Sequence, residues 1–284
     1  MLKASQWETV WIWAIRLVNY LVVAVIGYII LDIVWNGLPV ISWKFLTAAP
    51  SRAGAAGGIF PAIVGTFYLV VGTIAVALPL GMAAAIYLSE YAKQGRFTSL
   101  VRLAIVTLAG VPSIVFGLFG LGLFVLFLNF GTSILAGNLT LACMILPTII
   151  VASEEALRSV PQSFREGSLA LGATKWQTIF KNVLPYAVPG MMTGSILGLG
   201  RVAGETAPIL LTVAAFFLPK LPASIMDQCM ALPYHLYILA TQHPEMELVR
   251  PMQYGTALVL LALVLGLNLG AIILRMYFRK KYQW

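Results

Sequence analysis

Residues 166–185 read EGSLALGATKWQTIFKNVLP, a polar and charged stretch that separates two long apolar parts of the chain. Pro161 lies five residues earlier and is expected to end the preceding helix, because proline lacks the N–H that a helix interior needs. A short helix is predicted over residues 162–171, and Gly172 is typical of the position that stops a helix. The stretch is therefore predicted to begin as a short helix followed by a tight turn.

The second half of this stretch carries the signal for another helix. Thr174 and Gln177 make a capping-box pattern, in which each residue satisfies a backbone N–H of the other. Phe164, Leu169 and Leu171 are apolar and are expected to face water on this charged connection. Two interpretations stay open, a helix that lies on the lipid headgroups or a docking element that fits a groove of a cytoplasmic partner.

The composition of the 284 residues indicates a membrane protein. Hydrophobic residues make up 60% of the chain and charged residues only 10%, whereas a water-soluble domain has roughly 25% charged residues. The net charge of +8 does not indicate a nucleic-acid partner, since the positive residues are dispersed between apolar runs. The cysteines and histidines, Cys143, Cys229, His235 and His243, show no spacing of a disulfide framework or a metal site.

Six apolar segments are long enough to cross a bilayer, which needs about 20 helical residues. The predicted spans are roughly 14–35, 61–88, 104–128, 134–152, 187–214 and 255–277. The first is too long for the apolar region of a signal peptide, so it is interpreted as a retained helix. Pro79 and Pro112 are expected to bend the helices that contain them. The predicted fold class is all-α, a polytopic membrane protein with six transmembrane helices.

The distribution of positive charge predicts the orientation in the membrane. Of the 18 Lys and Arg residues, thirteen flank one side of the predicted spans, four flank the other, and Arg201 lies within a span. Because positive residues concentrate on the cytoplasmic side, both termini and the 153–186 loop are expected there. The predicted organisation is an N-terminal helix and outer connection (1–60), a transmembrane core (61–277) with an outer loop (215–254), and a cytoplasmic tail (278–284).

Arg201 and Glu205 are charged residues inside the fifth predicted span, where a charge costs at least about 2.5–3.5 kcal/mol. Arg201 is predicted near the bilayer midplane, and the i, i+4 spacing lets the two side chains neutralise each other. Gly190, Gly194 and Gly198 fall on the same helix face and are typical of close packing between membrane helices. The pair is interpreted either as a salt bridge that locks helices or as part of an anion path, since a guanidinium donates two hydrogen bonds to an oxyanion.

The loop resembles the conserved cytoplasmic loop of permease subunits of ATP-binding-cassette (ABC) importers. Gly172 follows Glu166 by six residues, and the loop closes on Leu-Pro, as in that family. The family has alanines at 167 and 168 and an isoleucine at 182, where this chain has Gly167, Ser168 and Asn182. The resemblance implies a type I permease fold and an ATPase-coupling element made of Glu166, Gly167, Ser168, Leu169, Ala170, Leu171, Gly172, Leu184 and Pro185.

Residues 201–208 read RVAGETAP and resemble phosphate importer permeases, in the form of the A-type of two paired subunits. Residues 77–81, 109–113 and 231–235 agree with the same family. The resemblance implies import of inorganic phosphate in the cytoplasmic (inner) membrane, with a substrate path that includes Arg201, Glu205 and Thr206. It also implies a second homologous permease subunit, two cytoplasmic ATPase subunits that bind ATP and Mg, and an extracytoplasmic phosphate-binding protein.

Other functions remain as alternatives at this point. The permease could carry another oxyanion, such as molybdate, sulfate or phosphonate. A secondary transporter or channel would need no ATPase and therefore no conserved docking loop. A membrane enzyme would need a catalytic cluster, and the sequence shows neither such a cluster nor a phosphate-binding Gly-rich loop with Lys-Ser/Thr. The chain itself is thus expected to be non-catalytic, with no metal and no cofactor of its own.

Overall fold

The computed structural model describes residues 2–51 and 56–281, with the side chains of residues 2–6 and 10 left out. The long helices are α1 (Leu2–Gly37), α3 (Phe60–Ile86), α6 (Ile134–Ser159), α9 (Leu184–Gly204) and α12 (Met246–Lys281). The shorter helices are α2 (Trp43–Thr47), α4 (Arg96–Ala109), α5 (Ser113–Gly120), α7 (Gln162–Ala170), α8 (Lys175–Thr178), α10 (Ala207–Thr212) and α11 (Leu232–Thr241).

The remaining regular elements are small. The strands β1 (Pro50–Ser51) and β2 (Ala56–Gly57) pair antiparallel, and a 3-10 turn over Leu38–Val40 follows α1. Wide π-type turns continue three of the helices, over Tyr87–Tyr91, Leu121–Phe127 and Ile179–Val183. Such turns are rare in proteins and occur mostly as single turns within longer helices.

The predicted membrane spans agree with the helices in number. In the described part of the chain, five helices are long and apolar enough to cross a membrane, and the bent pair α4–α5 makes a sixth. The prediction of a single helix over 104–128 is wrong, because α4 and the segment Ser113–Phe127 meet at 103°. Pro112 has no N–H to bond the carbonyl of Leu108, which instead accepts a hydrogen bond from the N–H of Val111 at 3.1 Å. The predicted bend at Pro112 is confirmed.

The prediction of a continuous helix over 187–214 is also wrong, since α9 ends at Gly204 and the separate helix α10 begins at Ala207. Pro208 lacks the N–H that would bond the carbonyl of Gly204, and its ring would clash with that carbonyl. Glu205, between the two helices, has an extended backbone with φ −72° and ψ 134°. The fifth span is therefore interrupted in the middle of its predicted length.

Helix α6 lies at the centre of the bundle and packs against both α3 and α9. Leu141, Ile145 and Ile149 on α6 are completely buried in this core. Most side chains of α1 are exposed in the single chain, and this helix contacts the bundle through α12. Near the outer end of α1, the hydroxyl of Tyr254 donates a hydrogen bond to a carboxylate oxygen of Asp32 at 3.0 Å. The first helix therefore lies at the periphery of the subunit.

The 215–254 connection folds over the bundle and contains α11. The carbonyl of Asp227 accepts a hydrogen bond from the N–H of Ile134 at 2.9 Å, which caps the first turn of α6. The hydroxyl of Thr66 on α3 accepts a hydrogen bond from the N–H of Leu232 at 2.8 Å. His235 in α11 is buried, and this burial lowers its pKa to about 4, so that the imidazole is neutral at pH 7.

The predicted glycine stripe is a close contact between α9 and α6 of the same chain. A Cβ atom added at Gly194 would lie 2.5 Å from the Cβ of Ala152, and one added at Gly190 would lie 2.6 Å from the Cβ of Ala156. Real Cβ atoms do not approach this closely, so only glycine permits the observed distance between the two helices. The interpretation of the stripe as a packing surface is confirmed.

Replacing Gly194 by alanine is expected to lower the thermal stability of the subunit in detergent. The added methyl group overpacks the α6–α9 contact, which costs typically about 1–3 kcal/mol. A melting temperature lower by several degrees is expected, since about 1 kcal/mol corresponds to roughly 2–4 °C at this size. The matched control is Gly27→Ala in α1, where an added Cβ has no neighbour within 4 Å. Equal melting temperatures for the two variants would contradict this account of the stripe.

Candidate functional site

The loop quoted from the sequence folds as a hairpin of two short helices, here named the coupling hairpin (residues 161–185). Helix α7 ends at Ala170, one residue earlier than predicted, and Gly172 takes the left-handed conformation with φ +81°. The predicted capping box is confirmed: the N–H of Thr174 donates to Oε1 of Gln177 at 2.9 Å, and the N–H of Gln177 donates to Oγ1 of Thr174 at 3.3 Å. The turn at Gly172 and the capping box at Thr174 thus form as the sequence predicted.

The exposed surface of the coupling hairpin carries large apolar side chains among its polar residues. Leu171 is 90% exposed and Leu169 is 49% exposed, while the rings of Trp176 and Phe180 stack with centroids 3.8 Å apart. The other exposed members of the predicted coupling set are Glu166, Gly167, Ala170 and Gly172. The remaining members lie inward, with Ser168 buried and Leu184 and Pro185 half-buried at the start of α9.

The expectation that Phe164 faces water is wrong. Its ring packs edge-on against Tyr186 at a centroid distance of 5.0 Å, and the side chain is only partly exposed. The face of α7 that carries Phe164 and Ser168 turns toward the beginning of α9, which the helix periodicity alone does not reveal. The hairpin therefore has one face packed on its own subunit and one face free for a partner.

An ion pair that the sequence analysis missed anchors the hairpin to the bundle. Nη2 of Arg165 lies 2.7 Å from Oε1 of Glu90, and the two side chains are only 14% and 8% exposed. The guanidinium also donates to the carbonyls of Leu157 and Val160, each at 2.9 Å. These carbonyls belong to the C-terminal end of α6, where the helix dipole favours a positive charge. Arg165 thereby joins α7 to the ends of α3 and α6.

A second ion group reinforces the same end of the bundle. Nε of Arg102 lies 2.8 Å from Oε1 of Glu154, and Nη2 of Arg158 lies 2.6 Å from the same oxygen. Arg102 also donates to the carbonyl of Leu88 at 2.8 Å, so that it links α4 to α3 and α6. Glu90 and Glu154 each follow a long apolar run, and this placement was the one signal in the sequence that they pair at the membrane surface.

The predicted substrate-path residues lie at the break between α9 and α10. Nε of Arg201 donates to Oε1 of Glu205 at 3.1 Å, and the side chains are 38% and 16% exposed. Glu205 is outside the helix, so the pair spans the break rather than one helix face as predicted. Thr206 is half-buried and leads into α10, where its carbonyl accepts a hydrogen bond from the N–H of Leu210.

The Arg201 guanidinium retains free donors. Within the described residues its one hydrogen bond is the bond to Glu205, so the terminal Nη groups remain available. No atom lies within 4 Å of a Cβ built on Gly204, which places open space beside the pair in the single chain. No group of three or more His, Cys, Asp or Glu able to hold a metal occurs in the ranges that the structure describes. The site is therefore suited to hold an anion through nitrogen donors.

Helix α9 connects the two sites. Its 21 residues run from Leu184 in the coupling hairpin to Gly204 beside the ion pair. At 1.5 Å per residue the ends are separated by about 30 Å. A displacement of the hairpin can thus reach Arg201 through one continuous helix.

The family assignment follows from a comparison with known proteins. A family profile described as "Binding-protein-dependent transport system inner membrane component" matches residues 77–283. The chain belongs to this family and is a multi-pass inner membrane protein.

Three individual proteins are similar to this chain over most of its length. The chain is 35% identical over 265 residues to the probable ABC transporter permease protein YqgI of Bacillus subtilis, covering 88% of this chain and 87% of the relative. It is 35% identical over 263 residues to the probable phosphate transport system permease protein PstA of Methanocaldococcus jannaschii, covering 92% and 90%. It is 38% identical over 221 residues to the phosphate transport system permease protein PstA 1 of Mycobacterium tuberculosis (strain CDC 1551 / Oshkosh), covering 78% and 71%.

Solved structures confirm the fold. A bacterial alginate ABC transporter in complex with a pentasaccharide-bound periplasmic protein matches with a TM-score of 0.62 and 14% identity, covering 94% of this chain and 95% of that chain. The MetNI methionine ABC transporter in inward-facing conformations matches with a TM-score of 0.57 and 16% identity, covering 78% and 94%. The predicted fold class, an all-α ABC importer permease of type I, is confirmed.

Replacing Glu90 by glutamine is expected to destabilise the subunit strongly. The change keeps the shape of the side chain but leaves Arg165 buried without a counter-charge, and breaking a buried pair typically costs about 3–5 kcal/mol. The measurement is the thermal melting temperature in detergent. The control is Glu247→Gln, which removes a surface pair with Arg250 whose side chains are 88% and 60% exposed. Exposed pairs contribute little, so an equally small effect of both changes would contradict the anchoring role of Glu90.

Proposed function

We propose that this chain is a permease subunit of an ATP-driven importer of inorganic phosphate. The observation that carries the proposal is the arrangement at the α9–α10 break, where Arg201 bonds Glu205 through Nε and, among the residues that the structure describes, keeps its terminal donors available. A planar guanidinium fork suits a tetrahedral oxyanion, because two of its N–H groups reach two oxygens at once. Glu205 offsets the charge of Arg201, which weakens the hold on the anion and lets it leave.

The similarity to relatives supports phosphate over the other oxyanions. Relatives at 35% and 38% identity are named phosphate transport system permeases. Residues 204–208 read GETAP, the form that resembles the A-type subunit of the phosphate importers. None of the three relatives described above is named as a permease for molybdate, sulfate or phosphonate, and a secondary transporter would have no use for a coupling hairpin.

The complete transporter contains further subunits. This chain forms half of the translocation path with a second homologous permease, and an extracytoplasmic phosphate-binding protein delivers the anion. Two ATPase subunits bind ATP and Mg, while this chain carries out no chemical step. Both termini and the coupling hairpin face the cytoplasm, in accordance with the positive charge that flanks this side of the spans.

The coupling hairpin docks into the ATPase through its exposed apolar face. Leu171, Leu169 and Trp176 are the exposed anchors of that face, and a short helix with apolar side chains fits a groove of a partner. When the ATPase closes on ATP, it displaces the hairpin, and α9 carries this displacement about 30 Å to the Arg201 break. The anion path at this break is then open to one side of the membrane and to the other in turn.

Transport in vesicles tests the function and the role of Arg201 together. Vesicles that contain all subunits are expected to take up labelled phosphate when ATP is supplied, and Arg201→Gln is expected to abolish uptake while the complex still assembles. Glutamine keeps much of the side-chain length but loses the charge and the fork that bind an oxyanion. Uptake that ignores phosphate and follows molybdate would reject the substrate. Loss of assembly in Arg201→Gln would instead assign the pair to helix locking.

The docking surface is tested by a charge placed at its most exposed residue. Leu171→Asp is expected to remove the ATPase from the purified complex, because a desolvated carboxylate in an apolar groove is costly. Leu248→Asp is the control, since Leu248 is 64% exposed in α12, away from the hairpin. The measurement is the amount of ATPase that co-purifies with the tagged permease. Full retention of the ATPase by Leu171→Asp would contradict this docking surface.

A further inference from the structure

Three polar side chains meet inside the coupling hairpin. Nδ2 of Asn182 donates a hydrogen bond to Oγ of Ser168 at 2.7 Å, and the same Oγ lies 2.9 Å from Oγ1 of Thr178. Ser168 and Thr178 are 7% and 3% exposed. Because Ser168 accepts from the amide, its own proton is available for Thr178, and the three groups form one continuous chain of hydrogen bonds.

Two of these residues stand at positions where the chain departs from the loop that it resembles, and Gly167 is the third such position. That loop has alanine where Ser168 stands and isoleucine where Asn182 stands. The structure brings the two departures into direct contact across the hairpin, although they are 14 residues apart. Alanine and isoleucine side chains could not form this hydrogen bond, so the polar contact between the two arms depends on the residues that this chain has at these positions.

We propose that Ser168, Thr178 and Asn182 are positioning residues that lock α7 onto the segment leading into α9, so that the hairpin and α9 move as one body. This inference rests on the proposed function, because it concerns how the displacement imposed by the ATPase reaches the anion path. None of the three residues touches the anion.

This set of three residues, here named the lock, adds a side-chain contact between the two arms of the hairpin to the backbone hydrogen bonds of its turn, in which the N–H of Ala173 donates to the carbonyl of Ser168 at 3.2 Å. Gly172 holds the left-handed conformation in the turn, and no atom lies within 4 Å of a Cβ built there. Segments with few contacts open at low free energy. Without the lock, a force applied to Leu171 would bend the hairpin more easily at Gly172 and would move α9 less. With the lock, the same force is passed to Asn182, two residues before α9 begins.

The first measurement is independent of transport and follows hydrogen exchange of the backbone amides over residues 162–183 in the purified complex. Ser168→Ala leaves the half-buried Asn182 amide and the buried Thr178 hydroxyl without their partner, so exchange is expected to rise about tenfold or more in this segment. The matched control is Ser163→Ala, which removes an exposed hydroxyl from the same helix and is expected to change nothing. Equal exchange in the two variants would overturn the lock.

The second measurement is the number of ATP molecules hydrolysed per phosphate transported in vesicles. Ser168→Ala is expected to raise this ratio several-fold while the ATPase remains bound. The reason is that ATP hydrolysis continues but a smaller part of each displacement of the hairpin is passed on to α9. The double variant Ser168→Ala/Asn182→Ile restores the apolar form of the loop, and it is expected to recover most of the coupling, since removing both partners leaves few groups unsatisfied.

The outcomes separate the two proposals. If Ser168→Ala speeds up hydrogen exchange but leaves the ratio of ATP hydrolysed to phosphate transported unchanged, the three residues stabilise the hairpin without positioning α9. This result would overturn the positioning role. A double variant no better than Ser168→Ala would overturn the pairing of the two departures. Absence of phosphate uptake in the unmodified complex would reject the proposed function, while the exchange experiment would still decide whether the lock exists.

Discussion

The guanidinium of Arg165 joins three separate helix ends, and the position of the coupling hairpin depends on it. It neutralises Glu90 at the end of α3 and occupies two carbonyls at the end of α6, while its own backbone belongs to α7. A buried arginine is tolerated only when its donors and its charge are all matched. This one contact therefore fixes where the coupling hairpin lies relative to the core, and hence where α9 begins.

Two prolines, which lack a backbone N–H, interrupt membrane spans near Arg201. Pro112 divides the third span, and Pro208 divides the fifth. The two interrupted spans pack against each other near their breaks: a Cβ added at Gly117 of α5 would lie 3.0 Å from the Cα of Pro208. In a membrane, irregular backbone is tolerated only where it is covered by protein or lines a water-filled cavity. The Arg201–Glu205 pair bridges one of these two breaks, the one between α9 and α10.

Local patterns in the sequence predicted those structural features that depend on residues close together in the chain. The turn at Gly172 and the capping box of Thr174 depend on residues within a few positions, and the glycine stripe of α9 follows from helix periodicity alone. The Arg165–Glu90 pair joins residues 75 positions apart, and no periodicity indicates such a partner. The orientation of Phe164 depends on the angle between α7 and α9, which is likewise a tertiary property. The break before Pro208 was missed because hydropathy measures side chains and does not register an absent N–H.

The continuity of α9 fixes a rotational relationship as well as a distance. The chain turns by about 100° per residue in a helix of 3.6 residues per turn, so the direction of Arg201 about the helix axis is set by counting residues from the hairpin. One residue inserted between Leu184 and Arg201 would leave every side chain chemically unchanged and would still point the guanidinium about 100° away from its present direction. The number of residues in this helix therefore sets the direction of the Arg201 side chain as well as its distance from the hairpin.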